Sequence, residues 1–364
     1  MRILIIRFSS FGDIFQTLEA AAHIKQIDSA AKIDWLVRRD FAELLENQSL
    51  VHQVIAFDRK NSAFNLIRLS WKLAPNYSRV FDAHNNLRSL LVRIVIRLYW
   101  TLHYFSAGKN ASMITRSKDR WRRFLFFKFR LPVLPKPFRG AESFLRPLRS
   151  WYPELAFKFE SATWTASIQA KNFEDEVLNE FNVWKGTREG LIVAFAPSAA
   201  WPNKRWPIDR WLKLARAWLV LNPSSRFLLL GGPEDTFLHQ IGAELGPDTV
   251  YDSVGKSSLA QSAKLLSQVN ALVANDTGLL HVADRLTLPS VAIIGPTAFG
   301  YPASLYSRVA EVELPCKPCS KDGRDRCTNS ENLKCLKLVS TEQVVELLTD
   351  ALASFATRES ERRE

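Results

Sequence analysis

Residues 271–283 have the pattern of a buried strand that runs directly into a helix. The run from Ala271 is apolar or small, Asn275 and Asp276 end it, and a helical pattern continues from Thr277 to Ala283. We expect Asp276 to be the N-cap of this helix, with its carboxylate accepting hydrogen bonds from the first free backbone N–H groups. The stretch therefore predicts one strand–helix unit of an α/β protein.

An anion site is expected where this helix begins, because a helix N-terminus carries partial positive charge and unpaired donors. Gly278 lets a ligand approach the backbone, and Thr277 and His281, four positions apart, share one helix face. Lys204 lies in a loop on the same side of the predicted sheet and can neutralise a diphosphate together with the helix, without a metal. The plainer alternatives are an ordinary capped helix and a solvated lysine.

Short apolar runs alternate with helical patterns through both halves of the chain. This alternation predicts an α/β fold with two doubly wound parallel sheets in succession and a cleft between the two domains. In one helix, apolar residues at i, i+3, i+4, i+7 and i+8 predict a buried stripe: Trp211, Leu214, Ala215, Trp218 and Leu219. The expected division is an N-terminal domain, a linker, a C-terminal domain, and a last helix with a charged tail: 1–165, 166–189, 190–339 and 340–364.

The basic residues are concentrated in one segment. The chain has 364 residues and a net charge of +12, and residues 88–149 contain 15 Lys/Arg against only Asp119 and Glu142. This points to an anionic partner bound at one place, which leaves nucleic acid, an anionic membrane surface and an anionic acceptor open. No GxGxxG motif follows a strand and there is no Walker A motif, so dinucleotide and P-loop sites are disfavoured.

No targeting or membrane-spanning segment is expected. The first apolar run is too short for a signal peptide, and the longest apolar stretch, residues 89–107, is broken by Arg93 and Arg97 on one helical face. We therefore expect a cytoplasmic protein, for which peripheral contact with the inner membrane stays an open option.

Four cysteines lie within 20 residues, with the spacing C-x2-C-x7-C-x7-C: Cys316, Cys319, Cys327 and Cys335. Four thiolates could hold a structural zinc ion. In a reducing compartment, reduced and partly buried thiols are the favoured interpretation. We expect neither a metal in the functional site nor a cofactor.

Other candidate residues follow strands, where ligands of open α/β sheets gather. Asp13 could accept a proton from an acceptor hydroxyl, although an N-cap role is an equal alternative. Ser198 ends the strand that begins at Leu191, and Glu234 or Asp235 ends the next one. A carboxylate there could accept hydrogen bonds from ribose hydroxyls, with helix capping as the plainer alternative.

Taken together, the motifs resemble glycosyltransferase family 9, the heptosyltransferases of lipopolysaccharide core assembly. They occur in order over nearly the whole chain, and five of them in order are specific to that family. The residues that carry the resemblance are Arg7–Asp13, Pro197–Pro207, Gly231–Asp235, Asn275–His281, Gly295–Thr297 and the stretch from Pro315 to Leu336.

The resemblance implies a GT-B fold, with the acceptor on the N-terminal domain and a nucleotide-sugar on the C-terminal one. It implies inverting, metal-independent transfer of heptose from ADP-heptose to an anionic glycolipid at the cytoplasmic membrane surface. Asp13 matches the general base and Lys204 the lysine at the diphosphate. The implied donor contacts are Ser198, Lys204, Glu234, Asp276, Thr277, Gly278 and His281, and the acceptor contacts are Ser9, Ser10, Gly12, Arg88 and Arg120.

The chain departs from the family pattern on the acceptor side. Gln16 and Glu19 replace a frequent His and Pro, and His84-Asn85 replaces a frequent Gln-Gly. A related transferase with another nucleotide-sugar and another surface glycan is therefore an alternative. Two non-enzyme alternatives are a nucleic-acid-binding protein that uses residues 88–149, which lacks any recognised motif, and a sugar-nucleotide sensor in which Asp13 is only a cap.

Overall fold

A computed structural model describes residues 1–46, 48–58, 60–103, 110–153 and 175–361. Within these residues the chain forms two compact units, one from 1–120 and 141–153 and the other from 121–140 and 175–361. A strand or linker is also expected at 156–165, and it lies outside the described residues, as do residues 166–174 of the linker expected at 166–189. The domain limits given above stay predictions.

The first unit is built on a five-stranded parallel sheet. Its strands are β1 (Arg2–Ile6), β2 (Lys32–Arg38), β3 (Gln53–Phe57), β4 (Arg79–Asp82) and β5 (Ser112–Thr115), in the order β3-β2-β1-β4-β5. The helices of the N-terminal half are α1 (Phe11–Ile27), α2 (Glu43–Glu46), α3 (Ala63–Leu73), α4 (Leu87–His103), α5 (Arg120–Phe129) and α6 (Glu142–Leu145). Almost all of α5 belongs to the second unit.

The second unit is built on a six-stranded parallel sheet. Its strands are β6 (Ile192–Ala196), β7 (Arg226–Leu229), β8 (Val250–Asp252), β9 (Ala271–Asn275), β10 (Ser290–Ile293) and β11 (Ser307–Ala310), in the order β11-β10-β9-β6-β7-β8. Its remaining helices are α7 (Glu176–Lys185), α8 (Ile208–Leu221), α9 (His239–Leu245), α10 (Leu259–Leu266), α11 (Gly278–Leu286), α12 (Lys334–Lys337) and α13 (Thr341–Glu361).

The strand orders confirm the prediction of doubly wound α/β sheets. In each sheet the chain builds outward from one strand and then returns to that strand's other side. This reversal lies between β1 and β4 in the first sheet and between β6 and β9 in the second. Ligands of open α/β sheets bind beyond the carboxyl ends of the strands at such a reversal. The loops after β1, β4, β6 and β9 are therefore the places to look for a site.

The core of the second unit explains how its loops are held. Four residues of the predicted α8 stripe are buried, namely Trp211, Leu214, Ala215 and Trp218, and Leu219 packs partly buried against them. Burial of these large side chains contributes about 1.5–3 kcal/mol each. Trp206, in the loop before α8, is 2% exposed and belongs to the same core. The loop between β6 and α8 is therefore anchored at its far end.

The spacing of Ser340 and Gln343 predicts a capping box at the start of the last helix, and the structure has one half of it. The Ser340 hydroxyl accepts a hydrogen bond from the Gln343 backbone N–H at 3.1 Å. The Gln343 side chain donates instead to the Glu311 carbonyl at 3.4 Å. Within the described ranges, no helix combines the length and apolar character needed to cross a bilayer.

Candidate active site

Lys204 and Asp276 meet in the second unit, where the loops after β6 and β9 come together. The Lys204 Nζ lies 3.1 Å from Asp276 Oδ2, and the side chains of both residues are 12% exposed. The Thr297 hydroxyl, which follows β10, donates to the same carboxylate at 2.5 Å. The convergence expected of Lys204 and the strand end of β9 is therefore present in the structure.

The expectation that Asp276 caps the following helix is wrong. The N-cap of α11 is Thr277, whose side chain makes no capping hydrogen bond, and Gly278 is the first helical residue. The Asp276 carboxylate faces Lys204 and Thr297. The Lys204 ammonium and the Thr297 hydroxyl bind it in place of the N–H groups at the start of α11. The first N–H groups of α11 thus receive no side-chain cap from Thr277, which suits an anionic ligand.

Two glycines are packed against this pair. A Cβ atom added at Gly300 would lie 2.2 Å from the Asp276 Cγ, and one added at Gly323 would lie 2.4 Å from the Lys204 Cγ. Gly323 also has a φ of +86°, a region that favours glycine. Any other residue at either position would displace one member of the Lys204–Asp276 pair.

Asn275 ties the Lys204 loop to the end of β9. The Asn275 amide nitrogen donates to the Pro197 carbonyl at 2.5 Å, and its amide oxygen accepts from the Trp206 backbone N–H at 3.1 Å. Asn275 is fully buried. Since the loop is held near both ends, Lys204 is brought to Asp276 by fixed backbone.

The carboxylates after β7 have different surroundings. Asp235 is buried and accepts hydrogen bonds from the Ser198 hydroxyl at 2.5 Å and the Gly232 N–H at 2.9 Å, with Arg205 at 3.4 Å. Glu234 is exposed. Glu234 is therefore the carboxylate at this strand end that a ligand can reach, while Asp235 and Ser198 shape the loop.

His281 lies one turn into α11. It is buried, and its Nδ1 is 3.7 Å from the Asp284 carboxylate. Thr297 was missed as a site residue by sequence reasoning. The signal was present, because Gly295-Pro296-Thr297 follows β10, which is hydrogen-bonded to β9.

Asp13 lies in the first turn of α1 in the first unit. Ser10, rather than Asp13, occupies the N-cap position, so the alternative of a simple N-cap role for Asp13 is wrong. The Asp13 carboxylate forms an ion pair with the Arg7 guanidinium and accepts from the Ser10 hydroxyl at 2.9 Å. Arg116 Nη1 lies 3.6 Å from its other oxygen. The Asp13 side chain remains 34% exposed, so a substrate can reach it.

The two arginines are held by the scaffold. Arg7 Nη1 donates to the Ala83 carbonyl at 2.8 Å, just after β4. Arg116 Nε donates to the Ser143 hydroxyl at 2.9 Å, and its guanidinium lies 3.6 Å from the centre of the Phe144 ring. Because these groups come from β1, β5 and α6, the cations beside Asp13 are positioned before any ligand binds.

Positive charge dominates around Asp13. Burial, followed by the charges of Arg7, Arg116 and Arg120, lowers the pKa of Lys118 to about 8. Burial and the charges of Arg7 and Lys118 lower the pKa of His84 to about 3, so this imidazole is neutral at pH 7. Such a surplus of cations suits a ligand that carries carboxylate or phosphate groups.

The other predicted acceptor contacts differ in how exposed they are. Gly12 is buried, Ser9 is partly buried, and Arg120 is exposed with its guanidinium 3.5 Å from the Asn85 carbonyl. Arg88 is exposed in the first turn of α4. The described part of the chain records no contact of Arg88 with Asp13 or its cations.

A cavity of about 200 Å³ adjoins Thr297 in the second unit. Its walls are mainly apolar and include the rings of Phe126, Phe138 and Phe299. Lys317 and Glu311, which also line it, are paired at 2.7 Å. The cavity thus offers an apolar wall and one charged pair close to Asp276.

The cysteine cluster consists of free thiols. Burial raises the pKa of Cys335 to about 11, so its thiol is neutral at pH 7. Cys327 Sγ accepts a hydrogen bond from the Leu333 N–H at 3.4 Å. Among the residues that the structure describes, no group of three or more His, Cys, Asp and Glu side chains is placed to hold a metal ion.

Comparison with known sequences supports the resemblance. The model of glycosyltransferase family 9 (heptosyltransferase) matches residues 154–332. The chain is 26% identical over 335 residues to lipopolysaccharide heptosyltransferase 1 of Pseudomonas aeruginosa, covering 88% of this chain and 86% of that protein. It is 25% identical over 317 residues to lipopolysaccharide heptosyltransferase 1 of Escherichia coli K12, covering 82% and 88%.

Comparison with solved structures supports the fold. Escherichia coli ADP-heptose lipopolysaccharide heptosyltransferase II superimposes with a TM-score of 0.66 at 21% identity, over 98% of this chain and 100% of that one. A family 9 glycosyl transferase from Veillonella parvula gives a TM-score of 0.69 at 20% identity, over 97% of both chains. The prediction of a GT-B type α/β fold with two Rossmann-like units is confirmed.

Proposed function

We propose that this chain, of which residues 154–332 match the model of glycosyltransferase family 9, transfers a heptose from ADP-heptose to the inner core of a lipopolysaccharide precursor, with inversion at the anomeric carbon. Glycosyltransferase activity is supported by this match and by the heptosyltransferase relatives. The donor and acceptor are inferred from the names of its relatives and from the two charged clusters. The observation that carries most weight is the buried Lys204–Asp276 contact beside the start of α11.

The donor would bind at the loops after β6, β7 and β9. The first N–H groups of α11 and the Lys204 ammonium would bind the diphosphate, since both favour negative charge. Asp276 would accept a hydrogen bond from a sugar hydroxyl while Thr297 holds its carboxylate in place. Glu234 would accept from the ribose hydroxyls, because it is the exposed carboxylate at the end of β7.

The acceptor would bind at the loops after β1, β4 and β5. Lys118, Arg120 and the arginines beside Asp13 would bind the carboxylate and phosphate groups of an inner core sugar. The Asp13 carboxylate, held by Arg7 and Ser10, would accept the proton of the acceptor hydroxyl. An acceptor of this kind is anchored in lipid, so the proposal places the enzyme at the cytoplasmic face of the inner membrane.

The reaction follows as a single displacement. The acceptor oxygen forms a bond to the anomeric carbon while the bond from that carbon to the diphosphate oxygen breaks. The proton passes to Asp13, and ADP leaves with the bonding electron pair. Negative charge grows on the leaving phosphate in the transition state, where Lys204 and the N-terminus of α11 would stabilise it. No metal is required in this scheme, because these groups supply the positive charge.

The proposal is tested by ADP release from ADP-heptose with a panel of truncated core lipids. We expect Asp13→Asn to lower kcat by about 10²–10⁴-fold, because a positioned general base contributes about that much. The affinity for ADP should be unchanged. Asp40→Asn is the matched control, since Asp40 is an exposed carboxylate of the same unit whose ion pair, among the described residues, is with Arg38 at 2.7 Å. Near-full transfer by Asp13→Asn would refute the base assignment.

A donor panel separates this function from its enzyme alternative. UDP-, GDP- and ADP-linked sugars would be offered with the same acceptors, and acceptor-dependent nucleotide release would be measured. Release from ADP-heptose alone supports the proposal. Faster release from another nucleotide-sugar would identify a related transferase, and the same donor cluster would then serve a different sugar.

A further inference from the structure

The outward face of α4 is apolar. Leu90, Ile94, Leu98 and Leu102 recur every four residues, and the last three are 55%, 52% and 57% exposed. The opposite face buries Val92, Val95, Ile96 and Trp100 in the core of the first unit. Because the core side of the helix is already satisfied, this exposed stripe has no packing role within the described part of the unit.

The neighbouring helix α3 presents a second exposed apolar stripe. Phe64 is 70% exposed, and Ile67 and Trp71 lie on the same helix face at i+3 and i+7. The Trp71 ring meets the Tyr99 ring of α4 edge-on, with centroids 5.2 Å apart. This ring pair joins α3 to α4 at one end of the α3 stripe. We call the two stripes together the α3–α4 face: Phe64, Ile67, Trp71, Leu90, Ile94, Leu98 and Leu102.

The Lys and Arg residues of α3 and α4 are not balanced by any acidic residue on these two helices. The two helices carry Arg68, Lys72, Arg88, Arg93 and Arg97 and no acidic residue. Arg93 is used inside the unit, because it pairs with Asp82 at 2.9 Å and donates to Thr115. The other four are exposed at the flanks of the apolar stripes. A face with an apolar centre and a purely cationic margin fits a partner with an apolar interior and an anionic surface.

We infer that the α3–α4 face binds the surface of an anionic phospholipid bilayer, with both helices lying in the interfacial plane. The apolar side chains enter the boundary between headgroups and acyl chains, while Arg68, Lys72, Arg88 and Arg97 contact lipid phosphates. A second copy of this chain is disfavoured as the occupant, because two such faces would bring like charges together.

This inference rests on the proposed function, because a lipid-anchored acceptor is the reason why the enzyme would bind a lipid surface. It adds which surface of the protein faces the membrane. The face lies in the unit that holds Asp13 and its cations. A lipid-anchored acceptor would therefore lie in the same membrane to which the first unit, with Asp13, is bound.

The test is co-sedimentation of the full-length protein with vesicles. One set contains phosphatidylcholine alone, and the other contains phosphatidylcholine with phosphatidylglycerol. We expect binding to the anionic vesicles, weaker binding to the neutral ones, and loss of binding as salt is raised from 0.1 to 0.5 M. The double variant Ile94→Glu/Leu98→Glu should partition at least about tenfold more weakly, since two exposed apolar side chains that would enter the bilayer are replaced by charges.

A matched control keeps the test specific. Val183→Glu/Val220→Glu changes two apolar residues that are even more exposed, at 83% and 79%, on α7 and α8 of the second unit. It adds the same negative charge and should bind vesicles nearly as the wild type does. Circular dichroism and transfer to a detergent-free, truncated acceptor would show that both double variants are folded and active.

Three outcomes would overturn the inference. The first is equal binding to both vesicle types. The second is vesicle binding by Ile94→Glu/Leu98→Glu that is as strong as that of the wild type. The third is a wild-type dimer in solution that dissociates in this variant. Failure of the proposed function has a different signature. The protein would then bind anionic vesicles through the α3–α4 face while releasing no ADP from ADP-heptose with any acceptor.

Discussion

At the scale of single residues, the site depends on close packing around two buried charges. Lys204 and Asp276 are almost excluded from solvent, and each has a glycine against its side chain. Removing one partner of such a pair leaves the other charge uncompensated, which costs several kcal/mol. The pair is therefore sensitive to small steric changes as well as to loss of charge.

Gly300→Ala tests this packing without changing any charge. The added methyl group would lie within 2.2 Å of the Asp276 Cγ, so the carboxylate must move away from Lys204 and Thr297. We expect a loss of about 1–3 kcal/mol in stability. ADP-heptose binding, measured by calorimetry, should weaken at least about tenfold. Gly242→Ala is the control, because its nearest neighbours would be at 3.5 Å and its helix should be unaffected.

Lys118 predicts the pH dependence of acceptor binding. With its pKa lowered to about 8, Lys118 is protonated below pH 8 and neutral above it. An anionic acceptor prefers the protonated form, so kcat/KM for the acceptor should fall as pH rises through about 8. Lys118→Arg keeps the charge at higher pH and should remove this fall. A profile that is the same for wild type and Lys118→Arg would exclude Lys118 as the titrating group.

At the scale of secondary structure elements, the site is made by loops that the strand order brings together. The β9–α11 stretch and the loop after β6 are far apart in sequence, and β6 and β9 are hydrogen-bonded neighbours. Asn275 then joins the two loops through its side-chain amide. Lys204 is thus positioned by β9 as much as by its own loop.

Asn275→Asp should loosen this junction. The Pro197 carbonyl would lose its donor and face a carboxylate, and we expect a loss of about 1–3 kcal/mol in a denaturant titration. Because the Lys204 loop is then held less firmly, we expect transfer activity at 25 °C to fall by more than the loss of folded protein explains. Asn182→Asp, on the exposed surface of α7, should change stability by less than about 0.5 kcal/mol. Equal activity of the two variants would contradict the positioning role.

Sequence periodicity was sufficient for the central strands and insufficient for most edge strands. The strands β1, β6 and β9 each contain at least four consecutive buried apolar residues, and their pattern is unambiguous. Among the four edge strands, β3 contains the apolar run 54–57. The other three, β5, β8 and β11, are three or four residues long and partly exposed, so no long apolar run marks them. The wrong N-cap at Asp276 has another cause, because sequence spacing does not reveal that Lys204 and Thr297 compete for its carboxylate.

At the scale of the whole molecule, the basic segment is divided. Residues 88–120 and 141–149 belong to the first unit, whereas residues 121–140 belong to the second. The segment was expected to bind an anionic partner at one place, and linear sequence could not show that α5 packs with the second unit. There Arg123 lies over the Phe299 ring at 4.2 Å.

Ion pairs within the basic segment argue against nucleic-acid binding. Several of the cations already have partners in the structure, among them Arg93 with Asp82 and Arg146 with Asp119. We expect a labelled 20-base-pair duplex to bind only non-specifically, with a Kd of about 10⁻⁴–10⁻⁶ M at physiological salt. Fluorescence anisotropy would measure it. Binding in the nanomolar range, together with no affinity for ADP-heptose, would favour the nucleic-acid alternative.

One edge of the second sheet is a suitable place for a spectroscopic label, because of the strand order. Strand β8 is separated from β6 by β7, and the turn before it contains Asp248, whose side chain is 90% exposed. Its only described ion pair, with Arg188 at 3.7 Å, is a surface contact worth little. A fluorophore or spin label attached through Asp248→Cys, in a chain whose four native cysteines are replaced by serine, would report the tumbling of this unit during turnover, while Lys204, Asp276 and Thr297 stay unchanged.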